Sequence, residues 1–171
     1  KPANDTTGTS TGKGVTSGIR LSRRLGGACP SVFTEMSDLA RVRQLLGPGE
    51  WAGLREERER ELALAVPLES LPALADRLAA EAALASLFAT DERSTSGAFR
   101  VHHVWSLPCC GAFLRLHAQV DPSRPAFPSI SGRHPAANWF EREIQDYFGL
   151  VPQGHPNPRR VALHDDWPEG S

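Results

Sequence analysis

The chain is poor in cysteine, has no excess of charge of either sign, and has no long hydrophobic run. Its three cysteines, Cys29 and the adjacent Cys109 and Cys110, form an odd set without the spacing of a disulfide framework. That pattern points to a reducing compartment. No CxxC pair occurs, which removes the commonest cysteine-based zinc sites. Nineteen basic residues against 20 acidic ones leave a net charge of -1, which argues against a nucleic-acid-binding stripe. No apolar stretch approaches the roughly 18–20 residues that span a bilayer, so membrane association is expected only through a partner. The first residues, KPANDTTGTSTGKGV, contain neither Met nor an apolar segment. They read as a fragment or processed end and not as a signal peptide.

What is present suits one domain with an arm. The chain has 171 residues, of which 40% are apolar, enough for a real core. Residues 1–30 are expected to form a flexible N-terminal arm and residues 31–171 a single domain. Within the arm, GTSTGKG invites comparison with a phosphate-binding loop. It is one residue too short, Gly14 stands where a hydroxyl residue is needed, and no apolar strand precedes it. A linker is the better reading.

Periodicity then outlines the domain. A helix is expected from Ser37, with Leu39, Val42 and Leu46 on one face and Gly47-Pro48 as its stop. A second helical stretch, EWAGLREERER, would turn Trp51 and Leu54 inward. ELALAV (61–66) reads as a strand, a helix capped by Ser70 buries Leu71, Leu74, Ala75 and Leu78, and ALASLFAT (83–90) reads as the next strand. Together they make a β-α-β start. AFRVHHVWSL and AFLRLHAQV alternate with period two around the turn PCCG, as a hairpin should. Pairing Leu107 with Ala112 puts Phe99, Val101, His103 and Trp105 on one face opposite Val120, Ala118, Leu116 and Leu114. A slip of one residue would scramble both faces. AFPSIS (126–131) is expected to extend the sheet.

The hairpin register sets His102 opposite His117 on the polar face. Two histidines could contribute to a metal site, with Cys109 and Cys110 as further candidates at the turn. Zinc needs four ligands, or three and water. A half-exposed cross-strand pair is therefore preferred for His102 and His117, and His103 is expected to be a core histidine with its hydrogen bonds satisfied.

The densest chemistry lies in NWFEREIQDYFGLVPQGHPNPRRVALHDDW (138–167). Pro135 suits the first turn of a helix and Gly149 its left-handed end. A helical projection gathers Ala136, Ala137, Trp139, Phe140, Ile144, Tyr147 and Phe148 into one apolar arc. Arg142 and Asp146 lie opposite as an i,i+4 pair. Glu141 sits at the edge, while Glu143 borders the arc and needs a partner. The following loop is stiffened by proline and glycine and leads into a short strand, RRVALH. An ion pair between Glu143 and Arg159 or Arg160 is expected to lock helix to loop. Catalysis by Glu141, Glu143 and His155 is the rival. No nucleophile–base–orienter arrangement and no cofactor cradle accompany them.

These residues strongly resemble the signature of the respiratory-chain 30-kilodalton subunit domain of NADH:quinone oxidoreductase, respiratory complex I. The same domain forms the N-terminal portion of the large subunit in group 4 membrane-bound [NiFe] hydrogenases of the formate hydrogenlyase type. The pattern is ERE-x-x-D-x-FG followed by GHP-x-x-RR, and LHDDWPEG looks closer to the hydrogenase branch. Pro158 departs from the aliphatic residue common at its position. The resemblance implies an α+β fold: a small, mostly antiparallel or mixed sheet with a β-α-β start, a hairpin, and helices packed on one face. It implies a non-catalytic assembly domain without a cofactor of its own. The parent complex would carry iron–sulfur clusters and either flavin or a nickel–iron centre.

The implied partners are a large subunit, D-like or [NiFe]-type, and neighbouring iron–sulfur subunits. The implied location is cytoplasmic, at the inner face of the membrane. By motif match Glu141, Arg142, Glu143, Asp146, Phe148, Gly149, Gly154, His155, Pro156, Arg159, Arg160 and Trp167 carry over as structural and docking residues. Trp139, Asp165 and Asp166 join them at the expected interface.

Overall fold

The computed structural model describes residues 35–47, 53–108 and 110–162, with side chains described from residue 40 onward. The expected arm therefore lies outside the described residues, as do Trp51, Cys109, Asp165, Asp166 and Trp167.

Helix α1 (Glu35–Leu46) buries Val42 and Leu46 and ends at Gly47, whose φ of +87° favours glycine. The acid-rich stretch after it does not form the expected helix. Arg55–Arg58 is instead strand β1, fully exposed and paired antiparallel with β2 (Glu61–Ala65) through a register shift. The segment has no apolar stripe to bury as a helix. An edge strand needs none, and its charges discourage further pairing.

Beyond a short 3₁₀ turn, α2 (Leu71–Leu78) buries all four residues expected of it: Leu71, Leu74, Ala75 and Leu78. Ser70 precedes it without a side-chain capping bond, and Pro72 pre-sets the first turn instead. Strand β3 (Ala83–Glu92) follows. A one-turn helix, α3 (Arg93–Ser96), then leads to β4 (Ala98–Leu107) and β5 (Ala112–Val120). The β4–β5 hairpin pairs as expected, from Phe99 opposite Val120 to Leu107 opposite Ala112.

The five strands lie in the order β1-β2-β5-β4-β3. Strand β2 runs parallel to β5, while β3–β4 and β4–β5 are antiparallel. The β2-α2-β3 unit is thus split, because the hairpin inserts between its two strands. The fold is α+β with a mixed sheet.

One face of the sheet is the core. Val101, Trp105, Leu114, Leu116 and Val120 join the buried residues of α1 and α2 in one cluster. On the other face Phe88 and Phe113 are exposed beside a set of charged and histidine side chains.

Residues 126–131 do not extend this sheet. Ala126–Pro128 (β6) pairs in parallel with Val151–Gln153 (β7) as a separate two-stranded element. Three prolines in or beside this pair (Pro125, Pro128 and Pro152) limit the donors available for a longer ladder. Between β6 and β7, a 3₁₀ turn at Pro135–Ala137 opens α4 (Asn138–Phe148), which closes at Gly149 with φ +66°. Helix α4 packs along β3, and the Phe148 ring meets Phe99 edge-on at 6.4 Å. Among the described residues no helix is long and apolar enough to cross a membrane.

Candidate docking platform and its polar lock

Helix α4 is rolled relative to the expectation. Its buried stripe is Ala137, Glu141 and Ile144, flanked by half-buried Phe140 and Phe148. Trp139 and Tyr147, expected inside, are 63% and 64% exposed. Glu143 is exposed with them. The locking carboxylate is therefore Glu141, which is completely buried. The physical reason is the supply of donors: only the Glu141 position meets enough of them to hold a carboxylate out of water.

Those donors come from the turn after β6. Glu141 Oε1 accepts the Ile130 amide at 2.7 Å, and Oε2 accepts the Ser129 hydroxyl at 2.6 Å. Ser131 Oγ lies 2.8 Å from Ser129 Oγ and supports it from behind. On the other side, His155 Nε2 stands 3.9 Å from Glu141 Oε2 and 3.2 Å from the Asn138 carbonyl. The Asn157 amide donates to His155 Nδ1 at 2.9 Å, which makes Nδ1 the acceptor and puts the ring proton on Nε2. The turn at Gly154, with φ +84°, brings this histidine back toward the helix.

The C-terminal segment is held by a second set of contacts, in which side chains of α4 grip backbone. Arg142 donates from Nε to the Arg159 carbonyl at 2.6 Å and from Nη2 to the Arg160 carbonyl at 2.9 Å. Asp146 Oδ2 accepts the amides of Val161 and Ala162, both at 2.8 Å. Residues 158–162 form no strand, contrary to the expectation for RRVALH. The lock between helix and loop exists, but Glu143–Arg159/Arg160 is not how it is made. It runs from Arg142 and Asp146 to main-chain atoms of the arginine segment. Pro156 is exposed between the two sets of contacts.

The histidines of the sheet sit in a different network. His102 does face His117, with ring centroids 6.0 Å apart. His102 is buried, however, and both its ring nitrogens are engaged: Nδ1 with Arg115 Nη1 at 3.2 Å and Nε2 with Thr90 Oγ1 at 3.0 Å. Because guanidinium can only donate, Nδ1 is the acceptor and Nε2–H donates to Thr90. Thr90 in turn donates to Glu92, Glu92 pairs with Arg100 at 2.9 Å, and Arg115 pairs with Glu57. A polar seam thus crosses strands β1, β5, β4 and β3.

Burial, with Arg115, His117 and Arg100 nearby, pushes the His102 pKa down to about 4. Burial likewise pushes the His117 pKa down, and takes His103 to about 3. His103 is a core histidine but not the satisfied one expected: it is completely buried, and neither ring nitrogen has a hydrogen-bond partner among the described residues. Cys110 is buried and its Sγ lies 3.8 Å from the Leu107 carbonyl oxygen. Among the described residues no three His, Cys, Asp or Glu side chains converge as a metal site. A nitrogen of His102 could bind a metal only by giving up Arg115 or Thr90.

A cleft of about 900 Å³ opens elsewhere, between Leu68, Glu69, Asp121, Arg124 and Val151. Glu141, Glu143 and His155 do not line it. Sequence reasoning missed Ser129 and Ile130 as partners of the motif. The signal was the pair of small hydroxyl residues flanking Ile130, a few residues before the proline that opens α4.

The described residues thus form a mixed α+β domain with a polar-locked helix and a strapped C-terminal segment. The model of the respiratory-chain NADH dehydrogenase 30 Kd subunit matches residues 64–171. The chain belongs to that family. It is similar to formate hydrogenlyase subunit 5 of Escherichia coli (strain K12), with 41% identity over 87 residues, 50% of this chain and 15% of that protein. Hydrogenase-4 component G of the same strain is 39% identical over 125 residues, 69% of this chain and 22% of that protein. A subunit of the NADH-quinone oxidoreductase of Salinispora arenicola (strain CNS-205) is 38% identical over 96 residues, 55% of this chain and 39% of that protein. The chain thus spans between 15% and 39% of the length of these relatives. In fold it is similar to a chain of the membrane-bound sulfane sulfur reductase, an archaeal respiratory membrane complex. The TM-score is 0.66 at 20% identity, covering 76% of this chain and 78% of that one.

Proposed function

We propose that this chain is a non-catalytic assembly domain of a multisubunit, membrane-associated oxidoreductase of the complex I or group 4 [NiFe] hydrogenase kind. In this reading it docks onto the large catalytic subunit, at the cytoplasmic face of the membrane. Redox cofactors belong to the rest of that complex.

The observation that carries the reading is where the motif's polar atoms go. Glu141, Arg142, Asp146 and His155 spend theirs on the chain's own turns and backbone. A general acid or base must present a free atom to substrate, and a docking platform must instead be preordered. The names of the relatives supply the kind of complex: formate hydrogenlyase, hydrogenase-4 and NADH-quinone oxidoreductase.

The test is affinity purification of the tagged protein from its own cells, followed by mass spectrometry and metal analysis. The expected result is recovery with a large subunit and iron–sulfur subunits, and no stoichiometric metal on the isolated domain. Recovery without a large subunit would overturn the proposal. So would stoichiometric zinc, nickel or iron on the isolated domain, which would revive a metal role for His102 and His117 with Cys109 and Cys110.

A further inference from the structure

With its inner face consumed by the lock, α4 leaves an outer stripe open. Trp139, Glu143 and Tyr147 recur every four residues and so share one side of the helix. All three are exposed, and Phe88 of β3 is exposed as well. Beside Glu143 lies a groove of about 80 Å³ walled by Leu87, Phe88, Phe140, Ile144 and Tyr147. That is far below the roughly 300–1,000 Å³ of small-molecule pockets, so the groove suits a side chain and not a cofactor. Glu143 is the one carboxylate of α4 for which no hydrogen bond or ion pair is found among the described residues. Arg142, its neighbour, donates to the carbonyls of Arg159 and Arg160 and lies over the Trp139 ring, 5.5 Å from its centroid.

We propose that this stripe seats an arginine of the large catalytic portion of the complex. Its aliphatic stem lies in the groove, and its guanidinium pairs with Glu143 between the Tyr147 and Phe88 rings. Charge selects the occupant. A carboxylate ringed by apolar and aromatic surface calls for a cation, and arginine combines a stem that packs with a planar head that stacks on aromatic rings. An anionic lipid surface would be repelled. A second copy of the chain, packed stripe to stripe, would bring two Glu143 carboxylates together. The large portion is also the partner with the most surface to place: this chain spans 22% of hydrogenase-4 component G, so most of that polypeptide lies outside the matched segment. The inference rests on the docking function above and adds the face and the anchor.

The test uses the assembled complex, purified from cells in which Tyr147 is replaced by photoreactive p-benzoylphenylalanine. After irradiation, cross-linked peptides are sequenced. The expected product joins residue 147 to an arginine-containing peptide of the large portion. Introducing Glu143→Arg should lower its yield about tenfold, because like charges then face each other, while the melting temperature of the domain stays unchanged. Cross-links to a second copy, to lipid or to an iron–sulfur subunit would overturn the inference, as would a yield indifferent to Glu143→Arg. If the chain never co-purifies with a large portion, the docking function itself fails. If it co-purifies but residue 147 cross-links elsewhere, only this inference fails.

Discussion

Two polar networks divide the molecule, and they differ in what surrounds them. Around Glu141 a single carboxylate is sealed from water and receives a backbone amide and a hydroxyl from one turn. Across the open face of the sheet, the Glu57–Arg115–His102–Thr90–Glu92–Arg100 seam has many more members, but its charged ends reach solvent. A buried group left without partners bears its full desolvation penalty, whereas a half-exposed ion pair can turn to water. At neutral pH the shorter network should therefore matter more to the fold. The seam should matter mainly where it is buried, at His102.

Acidification is expected to have the largest effect, because it strikes that buried member. His102 is held near 4 in the folded chain against 6.5 for the free side chain, so the unfolded state binds the proton first. Stability is then complete above about pH 6.5 and is lost as pH falls toward 4, by on the order of 3 kcal/mol for this residue. His103, held lower still, adds to the same slope. Urea denaturation at several pH values measures the loss, and His102→Gln should flatten part of it. A pH-independent midpoint across this window would show that the seam's histidine is not buried neutral.

In the lock, His155→Ala ranks below loss of the Glu141 carboxylate itself; it removes the link between the Asn138 carbonyl and the Asn157 amide. A loss of about 2 kcal/mol is expected at neutral pH. Asp146→Ala frees two backbone amides at once and should cost about 1–2 kcal/mol. Its signature is local: hydrogen exchange at Val161 and Ala162 accelerates, while exchange in β4 and β5 does not. The smallest effect belongs to the seam's rim, where Glu57→Gln, which loosens only the exposed pair with Arg115, should cost at most about 1 kcal/mol near neutral pH. A larger loss there would erase the contrast between the two networks.

The same contrast explains what could be read from the residues alone. Strict alternation in β4 and β5 fixes every cross-strand pair, because each face has its own polarity and one register satisfies both. The stripe of α2 was equally plain, since four apolar residues recur at helical spacing. Segment 55–58 was illegible because its strand character comes from pairing with β2 and not from an apolar pattern of its own, whereas 126–128 was legible as sheet but not its partner, since β7 lies far along the chain.

The roll of α4 was the instructive miss. Hydrophobicity alone turns Trp139 and Tyr147 inward and leaves Glu141 at the edge. The fold does the reverse, because Ser129 and Ile130 bring donors that a helical projection cannot contain. A motif carboxylate can be core, and motif aromatics can be surface.

Of the two glutamates on the helix, Glu141 belongs to the fold and Glu143 to the surface. The direct measurement is urea denaturation of Glu141→Gln beside Glu143→Gln at neutral pH. The lock predicts a loss of about 2–3 kcal/mol for Glu141→Gln and no measurable change for Glu143→Gln. Equal losses, or a loss confined to Glu143→Gln, would contradict it.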